Sequence, residues 1–183
     1  MATDINTLKK QLASATEWLR KEFQQIRTGQ ASPSVLDNVR VEIYGAPMSL
    51  KEVASVTLEG ARTLRIAPWD KTHIKEIEKA ISTSNLGLSV AVDDQGLRVN
   101  FPQLTTESRQ EIVKAAKDKL EEARKQVRRE REDYIKDLQA KEKDGGMGKD
   151  EVFRLKGDVQ KIVDEENKKL EELFAKKEKE ILS

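Results

Sequence analysis

Two segments in the second half of the chain, from about residue 106 to 143 and from about residue 150 to 182, each carry one apolar stripe. The apolar residues recur mostly at spacings of three and four, which is typical of one face of an α-helix. Each segment exceeds 30 residues, so with a rise of about 1.5 Å per residue each helix is at least about 45 Å long. A helix with a single apolar stripe is unstable alone in water, so the stripes must face one another.

A third stripe of the same kind runs from about Asp4 to Ile26. The sequence Asp-Gly-Gly-Met-Gly at 144–148 separates the two longer helices and permits an antiparallel turn between them. Thr105 or Thr106 is suited to capping the first of these two. A three-helix bundle is the economical arrangement, with one polar step at Glu130 and another at Glu166. The stripes comprise Ile5, Leu8, Leu12, Ala15, Leu19, Phe23, Ile26; Val113, Ala116, Leu120, Ala123, Val127, Tyr134, Leu138; and Val152, Leu155, Val159, Ile162, Leu170, Leu173.

The segment between the first and second helices has a different pattern. Apolar and polar residues alternate over 39–44 and 54–59, which predicts half-buried strands, and the sequence Gly-Ala-Pro at 45–47 predicts a turn after the first. Another strand is expected at 64–66 and a short helix at 74–81. Residues 88–92 and 97–101 predict a hairpin around the sequence Asp-Asp-Gln-Gly.

The order of these patterns predicts an α+β fold in which a small β/α/β domain is inserted into a long three-helix bundle. Residues 1–29 and 105–183 are assigned to the bundle, and residues 30–104 to the inserted domain. The chain then crosses between domains twice, through short segments that contain glycine and proline, and such a double link is expected to act as a hinge. The predicted hinge residues are Gly29, Gln30, Ala31, Ser32, Pro33, Pro102, Gln103 and Leu104.

The composition limits the classes of function. The chain has 34 basic and 33 acidic side chains, a formal net charge of +1, so contact with nucleic acid requires a local cluster of charge. It has no cysteine, which excludes disulfides, thiolate chemistry and zinc-ribbon sites and favours a reducing compartment. No apolar run approaches the ~20 residues that span a bilayer, and the first residues do not resemble a secretion signal. We therefore expect a cytoplasmic protein with no membrane contact.

Several short sequences, collinear over the whole chain, carry a resemblance to a known family. The first is Ile-Arg-Thr-Gly-Gln-Ala-Ser-Pro at 26–33, which is similar to the signature at the end of the first helix in the ribosome recycling factor family. The family usually has arginine at the position of Gln30, and usually has Arg-Asn-x-Arg-Arg where this chain has Arg-Arg-Glu-Arg-Glu at 128–132. The other matching sequences are at 44–47, 54–57, 62–64, 78–81, 84–88 and 123–131.

The resemblance implies an L-shaped, tRNA-like monomer with a helical arm and a β/α/β arm. It implies binding to the post-termination ribosome through the large subunit and its RNA. It further implies that elongation factor G, a GTPase, acts with the protein to split the ribosome into subunits, releasing messenger RNA and tRNA. GTP hydrolysis belongs to that partner, so we expect no catalytic residue, no cofactor and no metal in this chain.

The predicted RNA-binding residues lie mainly on the second helix. Arg124, Arg128 and Arg131 are spaced by four and three, which places them within about 60° of one another on the helix. Lys117 lies one heptad before Arg124 and points the same way, and Arg129 adds a neighbouring cation. Arginine binds phosphate oxygens through a planar fork of donors and keeps its charge at any working pH.

Other interpretations of these residues stay open at the level of sequence. The arginines are equally suited to ion pairs with Glu121 and Glu132 on a solvated helix. Arg27, at the end of the first helix, is suited either to capping that helix or to contacting RNA. The long helices also fit an adaptor that binds proteins. An enzyme is disfavoured, because His73 is the only histidine and no phosphate-binding glycine loop is present.

Overall fold

The computed structural model describes residues 4–183, which form two compact units. Within the described residues, the first unit comprises residues 4–23 and Lys114–Glu178, and the second comprises Gln24–Val113 and Lys179–Ser183. Residues 1–3, the start of the predicted bundle segment, lie outside the described residues. The helices are α1 (Ile5–Gln25), α2 (Leu50–Val53), α3 (Ile74–Ser82), α4 (Thr106–Lys143) and α5 (Lys149–Leu182). The strands are β1 (Arg40–Ile43), β2 (Ala46–Ser49), β3 (Ala54–Gly60), β4 (Thr63–Pro68), β5 (Ser89–Asp93) and β6 (Gly96–Asn100).

The first unit is the helical bundle that the three apolar stripes predict. In addition to the buried apolar residues, polar contacts join α1 to each of the other two helices. The Lys119 ammonium of α4 lies 3.1 Å from the Glu22 carboxylate of α1. Thr16 of α1 donates a hydrogen bond to Glu166 of α5. The buried apolar residues of this unit are Leu8, Leu12, Ala15, Leu19, Phe23, Ala116, Leu120, Ala123, Val127, Tyr134, Leu138, Val152, Val159, Val163 and Leu170.

The apolar stripe of α5 differs from the prediction at one step. Val163 is buried where the stripe predicted Ile162, and Glu166 is buried at the next position although it is acidic. The Glu166 carboxylate accepts from the Thr16 hydroxyl and also lies 2.9 Å from the Lys169 ammonium. A buried carboxylate is tolerated only when its oxygens have such partners. The stripe therefore continues through Glu166 rather than being interrupted there.

Glycine ends α4 in a defined way. Gly145 has a positive φ of 75°, a conformation that favours glycine. Its N–H donates to the carbonyl of Glu142, and the Gly146 N–H donates to the carbonyl of Lys141. This pair of bonds is the Schellman motif, which satisfies carbonyls that a helix end leaves free. At the other end of α4, the Thr105 side chain accepts from the Ser108 N–H and caps the helix, as one of the two alternatives predicted.

The second unit contains the predicted α+β segment. Its larger sheet is antiparallel with strand order β3-β4-β6-β5, and β1 and β2 form a separate two-stranded sheet. One apolar cluster unites these elements with α3, and it includes Leu64 and Ile66 of β4, Val99 of β6, and Ile77 and Ile81 of α3. The alternation along β4 places Arg65 between two buried residues, on the opposite face of the sheet.

The first hairpin corrects the expected position of a turn. Residues 45–47 were predicted to form the turn, yet Ala46 and Pro47 belong to β2 and pair with β1. The turn lies one residue earlier, because Tyr44 and Gly45 both have positive φ, at 51° and 78°. Two consecutive positive φ values match the twist of a two-residue hairpin. Pro47 is tolerated in β2 because β1 is the only strand that pairs with it among the described residues.

The open face of the larger sheet carries a network of ion pairs. Arg65 lies 2.6 Å from Asp93 of β5 and 2.9 Å from Glu59 of β3. Arg98 of β6 lies 2.6 Å from Glu59. Hydrogen bonds from Arg98 and Arg65 lower the pKa of Glu59, and hydrogen bonds from Arg65 and the Gln95 N–H lower that of Asp93. These contacts link all four strands across the exposed face.

Candidate nucleic-acid interface

Arg124, Arg128 and Arg131 lie together in a groove between α4 and α5, within the first unit. Their spacing on α4 brings them to one wall, as the sequence predicts. The opposite wall consists of side chains from α5, which the sequence analysis did not include. The groove is lined by Glu121, Arg124, Val127, Arg128 and Arg131 of α4 and by Gln160, Val163, Asn167 and Glu171 of α5.

Arg124 is paired with two carboxylates. Its Nη1 lies 2.7 Å from Oε1 of Glu121 on the same helix, and its Nη2 lies 2.5 Å from Oε1 of Glu171 on α5. The pair with Glu121 is one that the sequence suggested for a solvated helix. The pair with Glu171 crosses the groove, so the charge of Arg124 is balanced in this structure.

Arg131 is oriented by an amide rather than by an acid. Its Nε donates to Oε1 of Gln160 over 3.1 Å, and the Gln160 amide nitrogen donates to Asp164 over 2.7 Å. Because the contact is to a neutral group, no carboxylate among the described residues balances the charge of Arg131. Its two terminal nitrogens have no hydrogen-bond partner among residues 4–183, so they are available to a ligand in the groove.

The remaining predicted cations of α4 are exposed. Arg128 lines the groove, whereas Arg129 and Lys117 are exposed on the same helix and do not line it. Within the described part of the chain, these three side chains make no ion pair, and the predicted pair between an arginine and Glu132 is not formed. The groove thus holds three arginines, of which one is neutralised by carboxylates.

Arg27 lies in the second unit, apart from the other predicted RNA-binding residues. Its Nη1 donates to the carbonyls of Leu86 and Gly87 over 3.1 and 3.0 Å, and its Nη2 donates to the carbonyl of Pro102. The guanidinium carbon lies 6.0 Å from the centre of the Phe101 ring. Partial burial lowers the pKa of the Arg27 guanidinium. The side chain therefore joins the backbone at 86–87 to the backbone at 102, within the second unit.

The predicted hinge residues also lie in the second unit. Ala31 is buried, and its N–H donates to the Ala61 carbonyl over 2.8 Å. Phe101 is buried, and its N–H donates to the Arg62 carbonyl over 2.8 Å. Pro33 begins a short 3-10 helix at 33–36. Backbone hydrogen bonds therefore hold the chain at residues 31 and 101. A polar cleft is lined by Gly29 and Gln30, which precede residue 31, and by Gln103 and Leu104, which follow residue 101.

The α5 wall is the part of the candidate site that the sequence analysis missed. Gln160, Asn167 and Glu171 are separated by seven and four residues, so they share one face of α5. That spacing was visible in the sequence. However, nothing in the sequence indicates which face of α5 lies beside the arginines of α4, because the pairing of two helices depends on their packing.

The described residues contain no group of three or more His, Cys, Asp and Glu side chains that is arranged to hold a metal ion. None of the described helices combines the length and the apolar character needed to cross a membrane.

A helical unit that carries a row of arginines, together with a small antiparallel α+β unit, defines a two-unit class of protein. Comparison with known proteins identifies the class. The sequence model of the family described as Ribosome recycling factor matches residues 19–182. The chain belongs to the ribosome recycling factor family.

Relatives and solved structures agree with this assignment. The chain is 43% identical to the ribosome-recycling factor of Bradyrhizobium sp. (strain ORS 278), a match that covers 98% of this chain and 96% of that protein. It is 44% identical to that of Xanthobacter autotrophicus (strain ATCC BAA-1158 / Py2), with the same coverage. A solution structure of the ribosome recycling factor superposes with a TM-score of 0.73 and 31% identity over 96% of this chain and 93% of that chain.

A second structural match concerns a complex. It comes from models for the T. thermophilus ribosome recycling factor and the E. coli elongation factor G bound to the E. coli post-termination complex. This chain is similar to the match with a TM-score of 0.65 and 36% identity, over 98% of this chain and 97% of that chain. The fold class predicted from the sequence, a helical bundle with a small α+β unit, is confirmed by these structures.

Proposed function

We infer that this chain binds the post-termination ribosome and, together with elongation factor G, splits it into subunits so that messenger RNA and tRNA are released. The observation that carries the inference is the family match over residues 19–182. The structural similarity to a factor bound with elongation factor G to the post-termination complex supports the choice of partners. The chain acts as a monomeric translation factor in the cytoplasm.

The arginine row of α4 is proposed to contact RNA of the large subunit. Arg128 and Arg131 support this role, because both line the groove and neither is balanced by a carboxylate. Guanidinium groups spaced along a helix can contact successive phosphates of a folded RNA. Arg129 and Lys117 add positive charge on the same helix, whereas the charge of Arg124 is balanced by Glu121 and Glu171. Arg27 has most of its donors engaged by carbonyls, so we assign it to positioning the backbone rather than to direct RNA binding.

The catalysed reaction, GTP hydrolysis, is assigned to elongation factor G and not to this chain. Elongation factor G hydrolyses GTP, and the present chain acts without a cofactor by binding and by transmitting force. The groove between α4 and α5 contains arginines, amides and carboxylates at its surface, which are the residue types of a binding site. We therefore propose a non-enzymatic factor.

A splitting assay tests the proposed function. Purified post-termination ribosomes are mixed with the chain, elongation factor G and GTP, and light scattering is followed over time. We expect scattering to fall, because separated subunits scatter less than intact ribosomes, and we expect no fall when the GTPase is omitted. Splitting that proceeds at the full rate without this chain, or hydrolysis of GTP by the chain alone, would contradict the proposal.

The domain assignment and the hinge complete the proposed mechanism. We propose that residues 1–29 and 105–183 form the ribosome-binding arm, and that residues 30–104 form a second domain that pivots when the GTPase acts. Of the proposed arm, residues 24–29, 105–113 and 179–183 belong to the second compact unit of the structure. Because backbone hydrogen bonds hold the chain at Ala31 and Phe101, the pivot is confined to the parts of the predicted hinge beyond them. Those parts include Gly29, Gln30, Gln103 and Leu104.

A crosslink between the two linkers tests the pivot. The natural chain has no cysteine, so Gln30→Cys combined with Gln103→Cys introduces a unique pair that a short bismaleimide can join. We expect the crosslinked protein to bind large subunits normally and to lose splitting, because the linkers no longer move independently. Each single variant, treated with the same reagent, is the matched control and should remain active. Full splitting by the crosslinked protein would reject the pivot.

A further inference from the structure

The groove between α4 and α5 contains a carboxylate, whose negative charge repels the phosphates of the predicted RNA ligand. Glu171 lies on α5, and its Oε1 is 2.5 Å from Nη2 of Arg124 on α4. Glu121, the other acid paired with Arg124, lies one turn away on the same helix as Arg124. Glu171 is therefore the only acid among the described residues that forms an ion pair across this groove.

The Arg124–Glu171 pair is accessible to a competing anion. The side chain of Arg124 is 31% exposed and that of Glu171 is 62% exposed. Ion pairs at such exposure contribute little to stability, because both charges are well solvated when they separate. A phosphate that enters the groove can replace Glu171 as the partner of Arg124, and Glu171 then returns to solvent.

The α5 wall also offers a neutral amide. Asn167 lies one turn before Glu171, is half-buried and lines the groove. Its side chain makes no hydrogen bond to another protein group within residues 4–183, so both its amide N–H groups and its carbonyl oxygen are available. An amide can donate to a phosphate oxygen and can also contact a ribose hydroxyl.

We propose that the groove is a composite site for an RNA backbone, in which a phosphate displaces Glu171 from Arg124 and Asn167 of α5 supplies a neutral contact. This inference rests on the proposed function and adds to it that α5 forms one wall of the site. RNA is favoured over an acidic peptide because Arg124, Arg128 and Arg131 follow one another along the helix, as successive phosphates follow one another along a strand.

The displacement has a consequence for the salt dependence of binding. Binding of an RNA releases the cations condensed on its phosphates, so affinity falls as salt rises. When Glu171 is displaced, it regains its own counterion, and the net release is smaller by up to about one cation. Removal of the Glu171 charge should therefore both tighten binding and steepen the salt dependence.

The matched pair Glu171→Gln and Glu172→Gln tests the displacement. Both substitutions change the net charge equally, and Glu172 is exposed on the same helix but does not line the groove. Equilibrium binding to purified large subunits is measured at several salt concentrations. We expect Glu171→Gln to bind about two- to five-fold more tightly than Glu172→Gln, with a slope of log affinity against log salt steeper by up to about one.

Two substitutions of Asn167 test the α5 wall. Asn167→Ala should weaken binding at every salt concentration with no change in slope, because a neutral contact releases no cation. Asn167→Asp should weaken binding further, because its charge repels phosphate. Circular dichroism of each variant confirms that the bundle is folded.

The outcomes separate this inference from the proposed function. If the unsubstituted chain binds large subunits but Glu171→Gln and Glu172→Gln behave alike, the displacement is wrong while the function stands. If the chain fails to bind large subunits at low salt, the proposed function itself is wrong. Binding of an acidic peptide in preference to RNA, strengthened by Glu171→Gln, would identify a protein ligand and overturn the RNA assignment.

Discussion

Substitution of Gly96 by alanine is expected to lower the free energy of unfolding of the second unit by about 3–5 kcal/mol. Gly96 begins β6 and has a φ of +139°, a conformation that side chains strongly disfavour. A Cβ atom at this position would lie 2.2 Å from the carbonyl oxygen of Ile66 and 3.1 Å from Cδ of Pro68. Since Ile66 belongs to the adjacent strand β4 and is buried, the backbone has little room to move away.

Gly60→Ala is the matched control for this prediction. Gly60 lies in β3 of the same sheet, but no heavy atom lies within 4 Å of the position that its Cβ would occupy. Its substitution is expected to change stability by less than about 1 kcal/mol. Urea denaturation followed by circular dichroism measures both variants. Equal stability of the two variants would show that the close approach between β6 and β4 does not exist in solution.

Reversal of two charges in the groove, Arg128→Glu with Arg131→Glu, is expected to weaken binding to large subunits by on the order of 100-fold. Both arginines line the groove and neither is balanced by a carboxylate, so both are available for phosphate. The variant loses two attractive contacts and gains two repulsive ones. The slope of log affinity against log salt should also decrease by about two, because two phosphates are no longer neutralised.

The control for the charge reversal is Arg154→Glu with Lys161→Glu. These two residues are exposed on α5 and do not line the groove, and their substitution changes the net charge by the same amount. The control should reduce affinity much less, since only long-range attraction is altered. Equal losses in the two variants would mean that binding depends on net charge and not on the groove. Circular dichroism of both variants checks that the helices remain folded.

The helices of this protein are predictable from its sequence because each is marked by a long apolar stripe, whose residues are close together along the chain. The predicted stripes contain every buried residue of α4 and every buried residue of α1 except Thr16, although Ile5, Ile26 and Val113 are only half-buried. The glycines at 145 and 146 end α4 as expected. The turn of the first hairpin was placed one residue too late. Tyr44 adopts a positive φ there, a conformation for which a tyrosine gives little sequence signal, so Gly45-Ala46-Pro47 was the stronger local pattern.

The candidate site is only half predictable. Arg124, Arg128 and Arg131 share a face because they lie on one helix, and the helical period alone brings them together. Their surroundings depend on α5, which is distant in sequence. Glu171 and Gln160 set the roles of two of these arginines, since Glu171 balances the charge of Arg124 and Gln160 contacts Arg131 without balancing its charge.

By itself, the sequence determined the helical periods, the position of the row of arginines, the inserted α+β segment and the similarity to a family. These features depend on residues close to one another along the chain, or on short sequences read in order. Only the tertiary structure decided that Glu166 is buried against Thr16, that Arg27 binds three carbonyls, and that α5 forms the second wall of the groove. Such contacts depend on how remote segments pack, and the hydrophobic effect that drives their packing is not directional.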